Sequence, residues 1–423
     1  MWQATCTVII TIAATLTASL LWRNLSSPER RLDYRLMELA LRDATFQRCM
    51  SHLLGPPIVA GNRVTCLVNG DQIFPAMLAA IRSATSTITF ETYIFWSGTI
   101  GREFTKALCE RSAAGVKVHL LLDWLGSNKL DGDAIADLER AGVEVERYRP
   151  LRWYNLSRMN SRTHRKLLVI DGRIGFIGGV GIADTWTGDA QSPEHWRDSH
   201  FQLEGPAVAH LQAAFADNWM KTRAEVFNSE EYFPVIEPAG TTLSQVFKSS
   251  PREGGDSARL MFLLSISAAR QQILIANSYF VPDSHTIAAL VGALERGVAV
   301  EIIVPGRHID TKLTRRASRS LWGPLLKAGA AIYEYQPTMF HCKVMIIDDC
   351  WVSVGSTNFD TRSFRLNDEA NLNSIDHDFA AEQARLFAAD KDRSRQVTLP
   401  DWERRPWREK LTERLAGLLR SQV

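Results

Sequence analysis

Short apolar runs of strand type alternate with stretches of helical periodicity through most of the chain. The pattern then repeats. TITFETYIFW (87–96) and QILIANSYFVP (272–282) are β-rich runs with a tyrosine, Tyr93 or Tyr279, at the polar end. Each follows an apolar helical stretch, AMLAAIRSA (76–84) or LMFLLSISAA (260–269). LCERSAAGVKVHLLLD (108–123) and LERGVAVEIIVP (294–305) both read as a helix ended by glycine and followed by a strand. IADLERAGVEVERY (135–148) and LLKAGAAIYEYQ (325–336) repeat that order. THRKLLVIDGRIGFIGG (163–179) and FHCKVMIIDDCWVSVGS (340–356) close the two series. Strands alternating with helices predict an α/β fold, with a mixed β-sheet flanked by helices in each copy. The duplicated domains are placed at 57–235 and 250–392. The Gly-, Ser- and Pro-rich stretch 238–257 reads as the linker between them. A repeat this long predicts a pseudo-twofold pair whose equivalent residues face one another.

The two ends follow other patterns. Trp2 to Trp22 carries no charge and is about long enough to span a hydrocarbon core, although five threonines dilute its apolar character. Residues 1–25 are therefore expected to be a membrane anchor, with a cleaved signal peptide as the rival reading. Arg23, Arg30, Arg31 and Arg35 follow it, which puts the bulk of the chain on the cytoplasmic side. Residues 399–423 predict an amphipathic C-terminal helix, with Leu411, Leu415, Leu418 and Leu419 at helical spacing. Docking on the domain is the expectation, and a membrane-surface helix is the alternative.

Composition narrows the classes. The 423 residues carry 49 Lys plus Arg against 47 Asp plus Glu, so the net charge is only +2. That gives no support to nucleic acid as a partner. Six scattered cysteines without a CxxC pair signal neither a zinc site nor a disulfide framework.

The closing unit of each series carries the candidate chemistry. His164, Lys166 and Asp171 return at identical spacing as His341, Lys343 and Asp348. His and Lys, two apart, share one face of a strand, and Asp lies beyond its far end. A small-residue stretch follows, GGVG (178–181) or GSTN (355–358). One such motif could be a strand with polar ends. Two copies at equivalent places in a duplication have no packing explanation.

H-x-K-x4-D twice, each followed by this stretch, resembles the phospholipase D superfamily. ETYIF, HWRDSHFQLEGPAV (195–208), SYFVPD (278–283) and LNDEANL (366–372) make the chain similar to the bacterial cardiolipin synthases. The resemblance implies a transphosphatidylase that moves a phosphatidyl group onto phosphatidylglycerol through a phosphohistidine. It implies His164 as nucleophile and His341 as acid and then base, an assignment that pseudo-symmetry leaves reversible on sequence alone. Lys166 and Lys343 would hold the non-bridging oxygens. Ser356 and Asn358 would add neutral donors to the same oxygens. Glu369, 28 residues after His341, would orient that imidazole, and Asp198 would do the same for His164. Asp171 and Asp348 would brace strand and loop rather than touch substrate. No metal or cofactor is required, because the lysines supply the charge. The resemblance also implies anionic phospholipid partners and a bacterial inner-membrane location. A hydrolytic phospholipase D, a nuclease of the same superfamily and an idle membrane scaffold remain the alternatives. One departure stands out: the first copy has Gly181 where the second has Asn358.

Cys342, between His341 and Lys343, should face the core. His195 and His200 lie near acidic residues, but their spacing fits no common metal pattern. The insertion Tyr148 to Lys166 carries Arg149, Arg152, Arg158, Arg162 and Arg165 with Trp153 and Tyr154. It is either a solvated loop or a contact for anionic head groups.

Overall fold

The computed structural model describes residues 2–25, 40–41, 43–151, 160–250 and 256–418. The first series supplies β1 (Val59–Val68), β2 (Thr87–Thr92), β3 (Lys117–Asp123), β4 (Glu144–Tyr148), β5 (Leu167–Ile170), β6 (Ile174–Gly178) and β7 (Ser199–Glu204). The second supplies β8 (Thr242–Ser249), β9 (Gln272–Asn277), β10 (Phe280–Val281), β11 (Ala299–Pro305) and β12 (Ala331–Tyr335). It continues with β13 (Lys343–Ile347), β14 (Trp351–Gly355), β15 (Phe359–Asp360), β16 (Glu369–Ile375) and β17 (Ser394–Val397).

Among the described residues one 15-stranded sheet runs β17-β12-β11-β9-β13-β14-β16-β8-β1-β7-β6-β5-β2-β3-β4. Apart from β17 the order mirrors itself about the β8–β1 pair, so β5 corresponds to β13 and β7 to β16. Strands joined through helices pair parallel, as in β2–β3–β4 and β9–β11–β12, because a crossover returns the chain in the same direction. Strands joined by tight turns, such as β5–β6 and β13–β14, pair antiparallel. The mixed sheet and the duplication match the sequence pattern. The linker does not: β8 lies inside the expected linker and pairs with both β16 and β1. Its eight residues are mostly buried, and Ser244 and Gln245 are buried polar groups that hid the strand in a polar-looking stretch.

Each motif strand splits its side chains between two cores, as the period of two requires. Leu168 and Ile170 join the helix-covered core of the first half, while Leu167 and Val169 join a core shared by both halves. Val344, Ile346 and Cys342 enter that shared core from the second half. Cys342 is buried as expected, and burial pushes its thiol up to about 12. Phe201, Leu203 and Leu372 complete the shared layer, and truncating such a side chain to alanine would cost about 2–5 kcal/mol.

The ends depart from expectation. Trp2–Leu25 is a helix of 24 residues, but among the described residues no helix is long and apolar enough to cross a membrane. The membrane anchor expected at residues 1–25 is thus not shown. Within this helix Thr11 and Thr15 turn their hydroxyls back onto the carbonyls of Thr7 and Thr11. The C-terminal segment forms two helices, Leu399–Glu403 and Trp407–Leu418. The second docks on the helix Lys312–Ser320, but through Glu413 and Ala416 rather than its leucines. Glu413 accepts from Arg319 and forms an ion pair with Arg405, both at 2.9 Å. Trp407, Leu411, Leu415 and Leu418 remain exposed, and Leu419 lies outside the described residues.

Candidate active site

The two motif strands begin where the halves meet. The segment before β5 bridges to the start of β16 through Thr163 and Asp368, and the segment before β13 bridges to β7 through Phe340 and Arg197. The His164 amide donates to the Asp368 carbonyl at 2.8 Å, and the His341 amide donates to the Arg197 carbonyl at 2.7 Å. Each histidine thereby lies beside the residues that lead into a strand of the other half.

The carboxylates consequently cross over. His164 Nδ1 lies 3.0 Å from Glu369 Oε2, and His341 Nδ1 lies 2.7 Å from Asp198 Oδ2. This reverses the sequence expectation, which paired Glu369 with His341 and Asp198 with His164. A hydrogen bond at Nδ1 leaves Nε2 as the reactive nitrogen of both rings. Burial alone would raise both carboxyls. The imidazoles, the lysines and neighbouring donors hold them below their ordinary values, so both stay ionised.

Both imidazoles line one cavity of about 340 Å³, together with Lys166, Tyr93, Tyr279, Trp186, Trp196 and Asn358. Tyr93 packs edge-on to His164 at 5.4 Å between ring centres. Trp186 and Trp196 each stand 5.4 Å from His341. Burial pushes the His164 imidazole down to about 4, and it lowers His341 too, helped by Lys343. Both rings are neutral at pH 7. Lys166 and Lys343 each donate to the carbonyl of their own histidine at 2.7 Å. Burial takes Lys166 down to about 7, which poises it to gain charge stabilisation from an anion. Lys343 sits behind His341 and donates to Ser278 Oγ at 2.6 Å. Ser278 in turn donates to Asn358 Oδ1 at 2.8 Å, which leaves Nδ2 of Asn358, on a cavity wall, without a partner among the described residues.

Ser356 occupies a different place from the one expected. Its hydroxyl donates to Glu369 Oε2 at 2.5 Å, so it braces the carboxylate. Asp171 and Asp348 stand at the far ends of β5 and β13 and take no part in the cavity. Asp171 accepts from the amides of Thr85, Ser86 and Thr87 at 2.8–2.9 Å. Asp348 accepts from those of Arg270, Gln271 and Gln272 at 2.8–3.1 Å. Both aspartates adopt a left-handed backbone, φ +50° and +53°, which a short polar side chain tolerates.

Two further donors were missed in the sequence. Ser363 donates to Glu369 Oε1 at 2.7 Å, and Trp186 Nε1 donates to Asp198 Oδ2 at 3.0 Å. They occupy equivalent places eight residues after Gly355 and Gly178, so extending the repeat alignment finds them. Arg149, Arg162 and Arg165 of the basic insertion turn inward. Arg149 approaches Asp368 at 3.6 Å, Arg162 pairs with Asp123 at 3.0 Å, and Arg165 reaches the Glu369 carbonyl at 3.2 Å. Arg152, Trp153, Tyr154 and Arg158 lie outside the described residues. His200 is buried, and burial lowers it to about 4. His195 bonds Ser192 at 2.9 Å.

The family model for the cardiolipin synthase, PLD-like domain matches residues 77–219 and 263–391. The chain is 35% identical over 373 residues to cardiolipin synthase A of Pseudomonas fluorescens, covering 88% of this chain and 77% of that protein. It is 34% identical over 355 residues to cardiolipin synthase A of Pseudomonas entomophila, covering 84% and 74%. Among solved structures, phosphatidylserine synthase of Haemophilus influenzae Rd KW20 matches with a TM-score of 0.67. That match spans 89% of this chain and 100% of the other, and at 14% identity it speaks for the fold. Fold, site and relatives define a phosphatidyltransferase of the phospholipase D superfamily. Within it, the chain belongs to the cardiolipin synthase family with PLD-like domains.

Proposed function

We propose that the chain transfers a phosphatidyl group to the terminal glycerol hydroxyl of phosphatidylglycerol, through a phosphohistidine. The observation that carries this reading is the crossed pair of imidazole–carboxylate contacts facing one cavity beside Lys166. Neutral His164 attacks phosphorus through Nε2 and displaces the donor's head-group alkoxide. His341, protonated when the phosphodiester anion offsets the nearby ammonium charge, gives that alkoxide its proton. The neutral His341 then takes the proton of the incoming hydroxyl, which attacks phosphorus and releases His164. Lys166 and the Asn358 amide stabilise the equatorial oxygens of both five-coordinate transition states, and Lys343 adds its charge from behind His341 through Ser278 and Asn358. Asp171 and Asp348 act as braces. The phosphodiester bond is exchanged rather than hydrolysed, so no external energy source is needed.

The same reading sets the chain at a lipid surface. Support comes from Trp407, Leu411, Leu415 and Leu418, exposed in a row on a helix that also carries Arg408, Lys410 and Arg414. Purified protein on phosphatidylglycerol vesicles should form cardiolipin and free glycerol in equal amounts. Phosphatidic acid as the sole lipid product would replace this reading with a hydrolase. Flotation with the same vesicles should weaken on L411E/L415E substitution, and unchanged flotation would remove the C-terminal helix from the surface.

A further inference from the structure

The chemistry above uses two histidines, two lysines and an amide, yet the cavity wall carries two more cations. Arg162 and Arg362 both line it. Arg162 is only 2% exposed. Its Nε donates to Asp123 at 3.0 Å, and its Nη2 donates to the carbonyls of Tyr148 and Arg149 at 2.9 and 2.8 Å. Its Nη1 has no protein partner among the described residues. An otherwise enclosed guanidinium with both N–H groups of one nitrogen left over on a cavity wall is arranged to receive an anion.

Arg362 stands on the same wall. It donates to the side chain and carbonyl of Asn160 at 2.8 and 3.2 Å, two residues before Arg162. Tyr93 ties this wall to the reacting centre. Burial pushes its phenol up, and Arg362 and Arg162 both pull it back. The same ring lies 5.4 Å from the His164 ring and 5.6 Å from Lys166 Nζ. Two carboxyls also line the cavity: Asp310 accepts the Tyr279 hydroxyl, and Asp360, which caps the amide of Ser363, is pushed up to about 7 by burial and pulled back by Arg362.

Cardiolipin has two phosphodiesters bridged by one glycerol, so a site that makes it must hold both at once. We propose that Arg162 and Arg362 form a second phosphate subsite, which takes the phosphodiester of the acceptor phospholipid and sets its terminal hydroxyl against the phosphorus on His164. This inference rests on the proposed transferase reading. It assigns the choice of acceptor to two arginines outside the H-x-K motifs. Water and simple alcohols carry no phosphate and gain nothing from this subsite, so it favours phospholipid transfer over hydrolysis.

The test is a partition measurement with the full chain on phosphatidylglycerol vesicles containing ethanol. Cardiolipin, phosphatidylethanol and phosphatidic acid then arise from one intermediate, so their ratios do not depend on how much protein folds. R362Q should lower the cardiolipin to phosphatidic acid ratio by about tenfold or more, the expected loss of a charge-assisted bond to phosphate. R162K, which keeps a charge beside Asp123, should lower it less. Phosphatidylethanol to phosphatidic acid should stay at the wild-type ratio in both. An unchanged cardiolipin ratio, or both ratios falling together, overturns the subsite while leaving the transferase intact. Phosphatidic acid alone from the wild type overturns both.

Discussion

The two half-sites answer one requirement with different residues. Glu369 accepts from His164, Ser356 and Ser363. Asp198 accepts from His341, Trp186 and the Ser199 amide. Among the described residues each carboxylate therefore has three donors, one of them an imidazole. In the second half Ser356 reaches Glu369. In the first, Gly179 stands at that place, where a Cβ would come within 2.4 Å of the Asp198 carboxylate. The shorter acid and the missing side chain fit together. What the fold keeps equal is a buried, saturated carboxylate that fixes an imidazole. The route to it is free to differ.

The oxygen-binding side is less equal. Asn358 offers an amide to the cavity, whereas a Cβ at Gly181 would meet Ile94 at 2.8 Å. One wall is thus polar where the other is apolar, an asymmetry that fits the separate roles proposed for the two histidines.

The largest expected effect breaks the equivalence outright. His164→Ala and His341→Ala should each lose cardiolipin synthesis by about ten-thousandfold or more, as for paired catalytic groups elsewhere. A donor with a p-nitrophenolate leaving group needs no proton, so it should restore a burst of p-nitrophenol to His341→Ala alone. Equal rescue of both variants would abolish the assignment of roles.

Glu369→Gln and Asp198→Asn should cost about a hundred- to ten-thousandfold in kcat by disturbing the tautomer. Ser363→Ala and Trp186→Phe remove one donor each and should cost about ten- to a hundredfold. Similar losses from this last pair would support the matched function of hydroxyl and indole, and a null effect from either would show that one half is over-braced.

The pH profile separates histidine from lysine. Attack needs neutral His164, so kcat/KM should fall as pH drops through about 4. With the p-nitrophenolate donor, which needs no proton from His341, oxygen binding still needs charged Lys166, so the burst rate should fall again as pH rises through about 7. Lys166→Arg should move only the alkaline limb upward, which a rate–pH titration would show. The smallest effect tests the Gly181 difference. Gly181→Asn should lower stability by about 1–3 kcal/mol through overpacking against Ile94, without a gain in rate, as thermal melting and assay would report.

The duplication, the α/β alternation and the His–Lys pairs were legible because they are local: period two, period 3.6 and a repeated order. The crossed carboxylates were not. They depend on Thr163 meeting Asp368 and Arg197 meeting Phe340, pairings across halves that no spacing encodes. The strand Thr242–Ser249 was hidden because its buried positions include Ser and Gln. The docked side of the C-terminal helix was misjudged because an ion pair at Glu413 outweighed its leucines.

The exchange of carboxylates has a genetic consequence. A half of this chain expressed alone would carry a histidine without its own orienting acid. Two copies of one half would carry identical acids and identical walls, and so two interchangeable histidines. Joining unlike copies in one reading frame lets Gly181 and Asn358 be inherited together, and a division of labour between the histidines with them.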